Sequence, residues 1–487
     1  MQIFYQSNYS INPIKIIFAS KLIKFRSGMK KILITFLIIV TIIACKTENP
    51  KDYMVLSGNI INLEKDTIKL NNIGNAFSKK LAINDDGSFL DTLSIETGYY
   101  SFYDGNKVVD LYLTNDRDLQ VSYDYKDTTN IITFAGENAG LNNYLLTKGK
   151  TSTELYGEKS SILYSLDEND FVTKVKSVKN SLIELLNSAA LEESFTSQEL
   201  KNIHYASVDK LINYESAHRY YTKNPEFKPS DSFNSGIMNI DLNNIDDFKN
   251  SSSYRNILQS HCSNLTEDKL NGEDEKYDLV YLDVINENVK NETIKNDLLY
   301  SNAKYGITYT ENLKDFYSNF MAYSTDTVNN NEITKAFNKL KTTAKGELSP
   351  KFVNYENFKG GTTSLDDLNG KYVYIDVWAT WCGPCKREIP SLKKIEKQYH
   401  GKNIEFVSIS VDVEKDHGAW KKMIVEKELG GIQLYADKSW NSNFITDYSI
   451  KGIPRFILID PAGKIITPNA PRPSSPKLVD LFTNLGV

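Results

Sequence analysis

Trp381-Cys382-Gly383-Pro384-Cys385 is the stretch on which the reading of this chain turns. Two cysteines separated by two residues can close a small disulfide ring and open it again. The run ahead of them, Tyr372-Val373-Tyr374-Ile375-Asp376-Val377-Trp378, is apolar, β-branched and aromatic, and predicts a buried strand. The run behind them carries Ile389, Leu392, Ile395 and Tyr399 at helical spacing, which predicts a helix from Lys386 to Tyr399. Cys382 is therefore expected where a strand turns into a helix. The unpaired N–H groups and positive dipole end of a helix stabilise a thiolate at such a place.

Features on either side strengthen this reading. Asp376 lies inside the predicted strand, where a carboxylate is costly unless it has a task. Pro390 should interrupt and kink the helix. Downstream, Gly452-Ile453-Pro454 precedes the apolar run Phe456-Ile457-Leu458-Ile459, and a proline just ahead of a strand is a candidate cis bond in a tight turn.

Together these residues resemble the thioredoxin superfamily. Val377-Trp378-Ala379-Thr380-Trp381-Cys382-Gly383-Pro384-Cys385-Lys386-Arg387-Glu388-Ile389-Pro390 is most similar to the TlpA/ResA branch of envelope thiol-disulfide oxidoreductases, and the resemblance runs from about Leu348 to the C-terminus. It implies that Cys382 is the attacking thiol and Cys385 the resolving one. It also implies that Asp376 is a buried acid assisting proton transfer and that Pro454 is the cis-proline. The surface around Trp381, Gly383, Pro384, Ile453 and Pro454 would bind the substrate backbone. The sequence departs from the family's pattern at Arg455, where a small residue is usual, and in having no lysine between Ile404 and Val411 to partner the acid.

Zinc is the alternative reading of a Cys-X-X-Cys pair, but zinc takes four ligands, and the remaining cysteines, Cys45 and Cys262, form no second pair. No metal or organic cofactor is expected. Four cysteines are too few for a disulfide scaffold. With 487 residues, about three domains are expected; 40% hydrophobic and 11% aromatic residues suffice for folded cores, and a net charge of -5 gives no reason to expect nucleic acid.

The fold expected is multi-domain α+β, with an N-terminal antiparallel β domain, a helical middle region and a C-terminal thioredoxin-like α/β domain. Met29-Lys30-Lys31 followed by the apolar run Ile32 to Ala44 reads as an export signal, too short for a comfortable membrane span. Translation is expected to start at Met29, with residues 1–28 an upstream extension. Ile42-Ile43-Ala44-Cys45 resembles a bacterial lipobox, which implies cleavage before Cys45, its acylation and tethering of the chain to a membrane. Residues 45–52 read as a tether. Over 53–140, Leu119, Val121, Tyr123 and Tyr125 alternate with polar residues, and turn signals recur at Gly58, Asp85-Asp86-Gly87, Gly98, Asp104-Gly105 and Asn115-Asp116. This predicts an antiparallel sandwich or barrel-like domain, and its layout resembles the β-rich domain of unknown function ahead of thioredoxin modules in envelope lipoproteins.

Residues 141–345 read as helical. Thr196-Ser197-Gln198-Glu199 predicts a capping box opening a helix to about Tyr221, while Asn224 to Ser232 and Asn264 to Glu275 read as loops. Cys262, beside His261, reads as a packing cysteine. Within 346–487, Gly346 to Gly361 reads as a connector. Strands are expected at Ile404 to Val411 and Ile432 to Ala436, with helices at Trp420 to Glu428, Trp440 to Tyr448 and Lys477 to Leu485. A turn at Asp460-Pro461-Ala462-Gly463 should fold back a hairpin.

The leading expectation is a lipid-anchored envelope enzyme facing the periplasm or cell surface. It would reduce disulfides of exported proteins, for example apocytochrome c, with electrons from a membrane donor protein. Gly-Pro between the cysteines resembles thioredoxin, whose potential lies near about -270 mV, against about -120 mV for a strong oxidant. Two alternatives stand beside it: an envelope binding module with an accessory redox domain, and a thiol peroxidase, against which stands the lack of a Pro-X-X-X-Thr/Ser-X-X-Cys arrangement.

Overall fold

The computed structural model describes residues 51–74, 77–127, 131–237, 240–270 and 276–487. The export signal, Cys45 and residues 1–28 lie outside the described residues. By packing, the chain divides into two units, one ending at Asn143 and the other spanning Tyr144–Val487 together with residues 72–76.

The described residues of the first unit are β from Met54 to Ala135. Strands β1 (Met54–Ile61), β2 (Thr67–Asn72), β3 (Ser78–Ala82), β4 (Ser88–Leu93), β5 (Gly98–Tyr103), β6 (Val108–Leu113), β7 (Leu119–Asp124) and β8 (Thr133–Ala135) form two four-stranded sheets, ordered β4-β1-β7-β8 and β3-β2-β5-β6. Alternate residues such as Leu56, Ile60, Leu111, Leu119 and Val121 are buried in the core of this sandwich. The antiparallel pairing expected holds for β1–β4, β2–β3, β5–β6 and β7–β8, while β1 and β7 run parallel. Gly58, read as a turn, lies inside β1 opposite Val121. A Cβ there would fall 1.8 Å from the Val121 carbonyl oxygen, so glycine permits the close approach of the two backbones.

The middle region is helical, as its spacing implies. Helix Glu292–Gly306 opens on Asn291, whose side chain accepts from the Ile294 N–H, and Thr327–Leu340 opens on Asp326 in the same way. Helices Ser252–Leu270, Tyr277–Asn288 and Glu292–Gly306 bury Ile257, Leu282, Ile285 and Leu298 in one core with Phe316. Two expectations fail here. The helix assigned to Thr196 begins at Glu193 and stops at Ile212, with a second helix from Tyr214 to Thr222. Glu199 is not a cap; it is fully buried and accepts from Lys148. The loop predicted from Asn264 is helix as far as Leu270, because Leu265 packs on the core and Thr266 is buried, its hydroxyl donating to the Cys262 carbonyl.

The C-terminal domain is α/β. Strands β9 (Tyr355–Asn357), β10 (Thr362–Thr363), β11 (Tyr372–Trp378), β12 (Ile404–Ser410), β13 (Ile432–Tyr435), β14 (Arg455–Ile459) and β15 (Ile465–Thr467) form one sheet ordered β10-β9-β13-β12-β11-β14-β15. β11, β12 and β13 are parallel, and β14, β15, β9 and β10 are added antiparallel. The central strands are apolar on both faces, as a covered sheet requires. Tyr374, Phe456 and Leu458 pack with Leu392 and Phe482 from helices Gly383–Gln398 and Pro476–Asn484. Ile375, Val377 and Ile457 pack with Trp420 and Phe444 from helices His417–Lys427 and Asn443–Asp447.

The connector from Gly346 to Gly361 supplies β9, and the short hairpin β9–β10 adds two edge strands to the sheet. The helix predicted from Trp440 to Tyr448 breaks at Ser442, which is extended and fully buried and donates its hydroxyl to Asp437 at 2.6 Å. The helix after the cysteines starts earlier than its apolar spacing predicts, at Gly383, and continues through Pro390 instead of being interrupted. A proline inside a helix costs about 3 kcal/mol, which the buried Leu392 and Ile395 on the next turn offset.

Candidate active site

Cys382 is the N-cap of helix Gly383–Gln398, with Pro384 in the first turn where a missing N–H costs nothing. Its sulfur accepts from the Cys385 N–H at 3.1 Å, and the two cysteines are joined in a disulfide with Cα atoms 5.3 Å apart. Both sulfurs are buried, whereas the neighbouring Trp381 is 56% exposed. The loop leading to the pair is tied from below. The Thr380 hydroxyl donates to Asp412 at 2.7 Å and the Thr380 N–H at 3.0 and 3.1 Å, while Ser410 donates to the other oxygen of the same carboxylate at 2.7 Å. Asp412 is fully buried and has its acceptors filled, so it acts as a structural knot.

Asp376 sits in β11 directly beside Ser408 of β12 and Phe456 of β14. Ser408 thus occupies the place where a basic partner from the next strand would reach it. Asp376 faces helix Gly383–Gln398 across a small cavity that it lines with Cys385, Glu396, Ser408 and Gln433. The cavity measures about 10 Å³, near the least that holds one water. The side chain keeps some surface on this space, but its Oδ1 is sealed and has no hydrogen-bond partner in the protein. Burial, reinforced by the negative charges of Glu388 and Glu396, raises the Asp376 carboxyl to about 8. Burial also raises Glu396 to about 7, against the pull of Lys393 and Lys359. Glu388 accepts from the N–H and hydroxyl of Ser474, both at 3.0 Å.

The Ile453–Pro454 peptide bond is cis, as the sequence suggested. Val377 pairs with Arg455, so the end of β11 and the start of β14 lie side by side, and Ile453 packs on the cluster that contains both cysteines. The structure therefore gathers Cys382, Cys385, Asp376, Ile453 and Pro454 at one end of the sheet. Cys262 is elsewhere, buried in the helical core, and burial pushes its thiol up to about 12.

Sequence reasoning missed Glu388 and Glu396. Both lie on the Cys385 face of the helix, three and eleven residues on, and that spacing was legible. Two joined cysteines at a helix start, the second over a cavity shared with a carboxyl that burial raises to about 8, make an arrangement that can exchange disulfides.

Comparison with known proteins agrees with this chemistry. Residues 346–467 match the AhpC/TSA family. A thiol-disulfide oxidoreductase ResA of Bacillus cereus is 31% identical over 121 residues, covering 25% of this chain and 66% of that protein. The ResA of Bacillus subtilis is 29% identical over 125 residues, covering 25% and 65%. About a third of each relative is thus left unmatched. Among solved structures, a candidate thiol-disulfide oxidoreductase from Bacteroides vulgatus is 51% identical over 28% of this chain and 86% of its own, with a TM-score of 0.26. A thiol:disulfide interchange protein from a Bacteroides species is 30% identical over 29% and 92%, with a TM-score of 0.27. On this footing residues 346–467 form a thioredoxin-like domain that matches the AhpC/TSA family and is similar to the ResA thiol-disulfide oxidoreductases.

Proposed function

We propose that the protein is an envelope-tethered thiol-disulfide oxidoreductase that reduces disulfides of exported proteins. The observation that carries this reading is the Cys382–Cys385 pair at a helix start, above a cavity shared with Asp376. In the reduced protein the Cys382 thiolate attacks one sulfur of a substrate disulfide. The other substrate sulfur leaves as a thiolate, and a mixed disulfide forms. Asp376, directly or through a water in the cavity, takes the proton of Cys385. The Cys385 thiolate then attacks Cys382, the second substrate sulfur leaves, and the protein is left with its own disulfide closed. The substrate is reduced by two electrons and the dithiol oxidised by two. Trp381, Gly383, Pro384, Ile453 and Pro454 bind the substrate backbone. A membrane donor protein re-reduces the pair.

Placement in the envelope rests on the sequence: the export signal at 29–44 and the lipobox that makes Cys45 the lipid-bearing residue. No helix among the described residues is long and apolar enough to cross a membrane. Apocytochrome c is one substrate that fits an exported reductant.

The test is reduction of insulin with dithiothreitol as reductant, where the wild type should outpace Cys382→Ser and equal rates would end the proposal. Equilibration with glutathione buffers fixes the direction of electron flow. A potential near about -270 mV makes the protein a reductant, and one above roughly -180 mV makes it an oxidant or isomerase.

A further inference from the structure

Helix Glu292–Gly306 runs on into Ile307–Thr310, and this segment lies against the turn that carries Pro454. Arg455 donates from Nη2 to the Thr308 carbonyl at 2.6 Å, and its guanidinium carbon stands 4.3 Å from the centre of the Tyr309 ring. Lys451, on the other side of the turn, donates to the Lys304 carbonyl at 3.2 Å. Between these two fastenings is Gly452. A Cβ built there would lie 2.6 Å from the Tyr309 hydroxyl oxygen, so the phenol rests over the backbone of the turn.

Arg455 is 3% exposed, and its Nε and Nη1 have no hydrogen-bond partner in the protein. A buried guanidinium this poorly satisfied costs stability, so its retention needs a compensating contact. That contact is the face of Tyr309. The tyrosine is nevertheless 43% exposed, and Tyr305 on the same segment is 53% exposed. One part of the ring is fixed on Arg455 and the rest is open beside Gly452, in the turn whose Ile453 packs on the cluster that contains both cysteines. A rigid, half-open aromatic beside a reactive centre is a surface for the flanking residues of a polypeptide.

We propose that Tyr309, supplied by the helical region, is a specificity-determining residue of the dithiol site, forming a wall that a protein disulfide touches and a small disulfide does not. This rests on the oxidoreductase reading, in which the Ile453–Pro454 turn holds the substrate backbone. The helical region is then part of the substrate site, and Arg455 is the residue that positions its tyrosine.

The experiment uses the full chain in detergent, with dithiothreitol as reductant and two substrates, insulin and hydroxyethyl disulfide. Tyr309→Ala should raise KM for insulin about fivefold or more, the loss expected of an interface tyrosine, with kcat unchanged. The rate with hydroxyethyl disulfide should not change. Tyr309→Phe, which keeps the ring on Arg455, should stay near the wild type on both substrates. Equal insulin KM for Tyr309→Ala and the wild type would overturn the assignment. So would a parallel loss on both substrates, which would make the residue merely structural. A wild type inactive on both would overturn the oxidoreductase reading and this inference with it.

Discussion

Replacing Asp376 by asparagine separates stability from catalysis at one residue. The carboxyl is raised from 3.8 to about 8, so the folded protein keeps this proton to higher pH than the unfolded chain does. Unfolding between about pH 4 and 8 therefore releases a proton, and wild-type stability falls as pH rises through that window. At about 1.4 kcal/mol per pH unit the ceiling is about 6 kcal/mol. The cavity beside the side chain lessens this cost. The amide put in its place leaves a buried donor unpaired, at about 1–3 kcal/mol. The net expectation is that Asp376→Asn gains at most about 3–5 kcal/mol above pH 8 and loses about 1–3 kcal/mol below pH 4.

Resolution of the mixed disulfide should suffer instead. A general base contributes about a hundredfold at the low end, and a group with a pKa of about 8 is about one-tenth ionised at pH 7. The variant should thus resolve about tenfold more slowly at pH 7 and about a hundredfold more slowly near pH 9. Attack by Cys382 should change less. The assays are denaturant unfolding at several pH values and paired single-turnover rates for attack and resolution between about pH 6 and 9. Equal resolution rates with the same pH profile would refute the reasoning and leave Asp376 a structural residue.

Glu396→Gln removes one of the negative charges that hold the Asp376 proton, so the rise of the resolution rate with pH should move to lower pH, and an unmoved profile in the same single-turnover assay would deny the coupling. Cys262, its thiol pushed up to about 12 by burial, should stay unmodified when the reduced native protein is treated with iodoacetamide at neutral pH, while Cys382 is alkylated; peptide mass mapping reads the result.

The redox domain was largely legible because its signals are local. A seven-residue apolar strand, the cysteine pair and the apolar stripe of the following helix each announce themselves within one window. What escaped were features set by distant partners. β9 and β10 are three and two residues long, too short for a period, and exist because the edge of β13 accepts β9 and β9 accepts β10. Glu199 carried the pattern of a cap, yet Lys148, far away in sequence, makes it a buried acceptor. Gly58 reads as a turn until the parallel neighbour β7 gives it a reason to lack a side chain. At the site, Asp376 and the cysteines were visible as residue types, but the acidity of their surroundings depends on which helix face looks down on the strand. Arg455 stood out as an odd residue for its place, and only the packing of Thr308 and Tyr309 supplies its purpose.

The knot around Asp412 has a bearing on how the molecule survives repeated use. The loop ahead of Cys382 is clamped by Thr380 and Ser410, and none of those bonds passes through the sulfur–sulfur link. Opening and closing the ring therefore leaves the scaffold's fasteners untouched, so each cycle should involve little rearrangement of the surrounding chain. Wear from turnover would then fall on the two sulfur atoms, and a chain whose sulfurs can be re-reduced would be ready to work again without refolding.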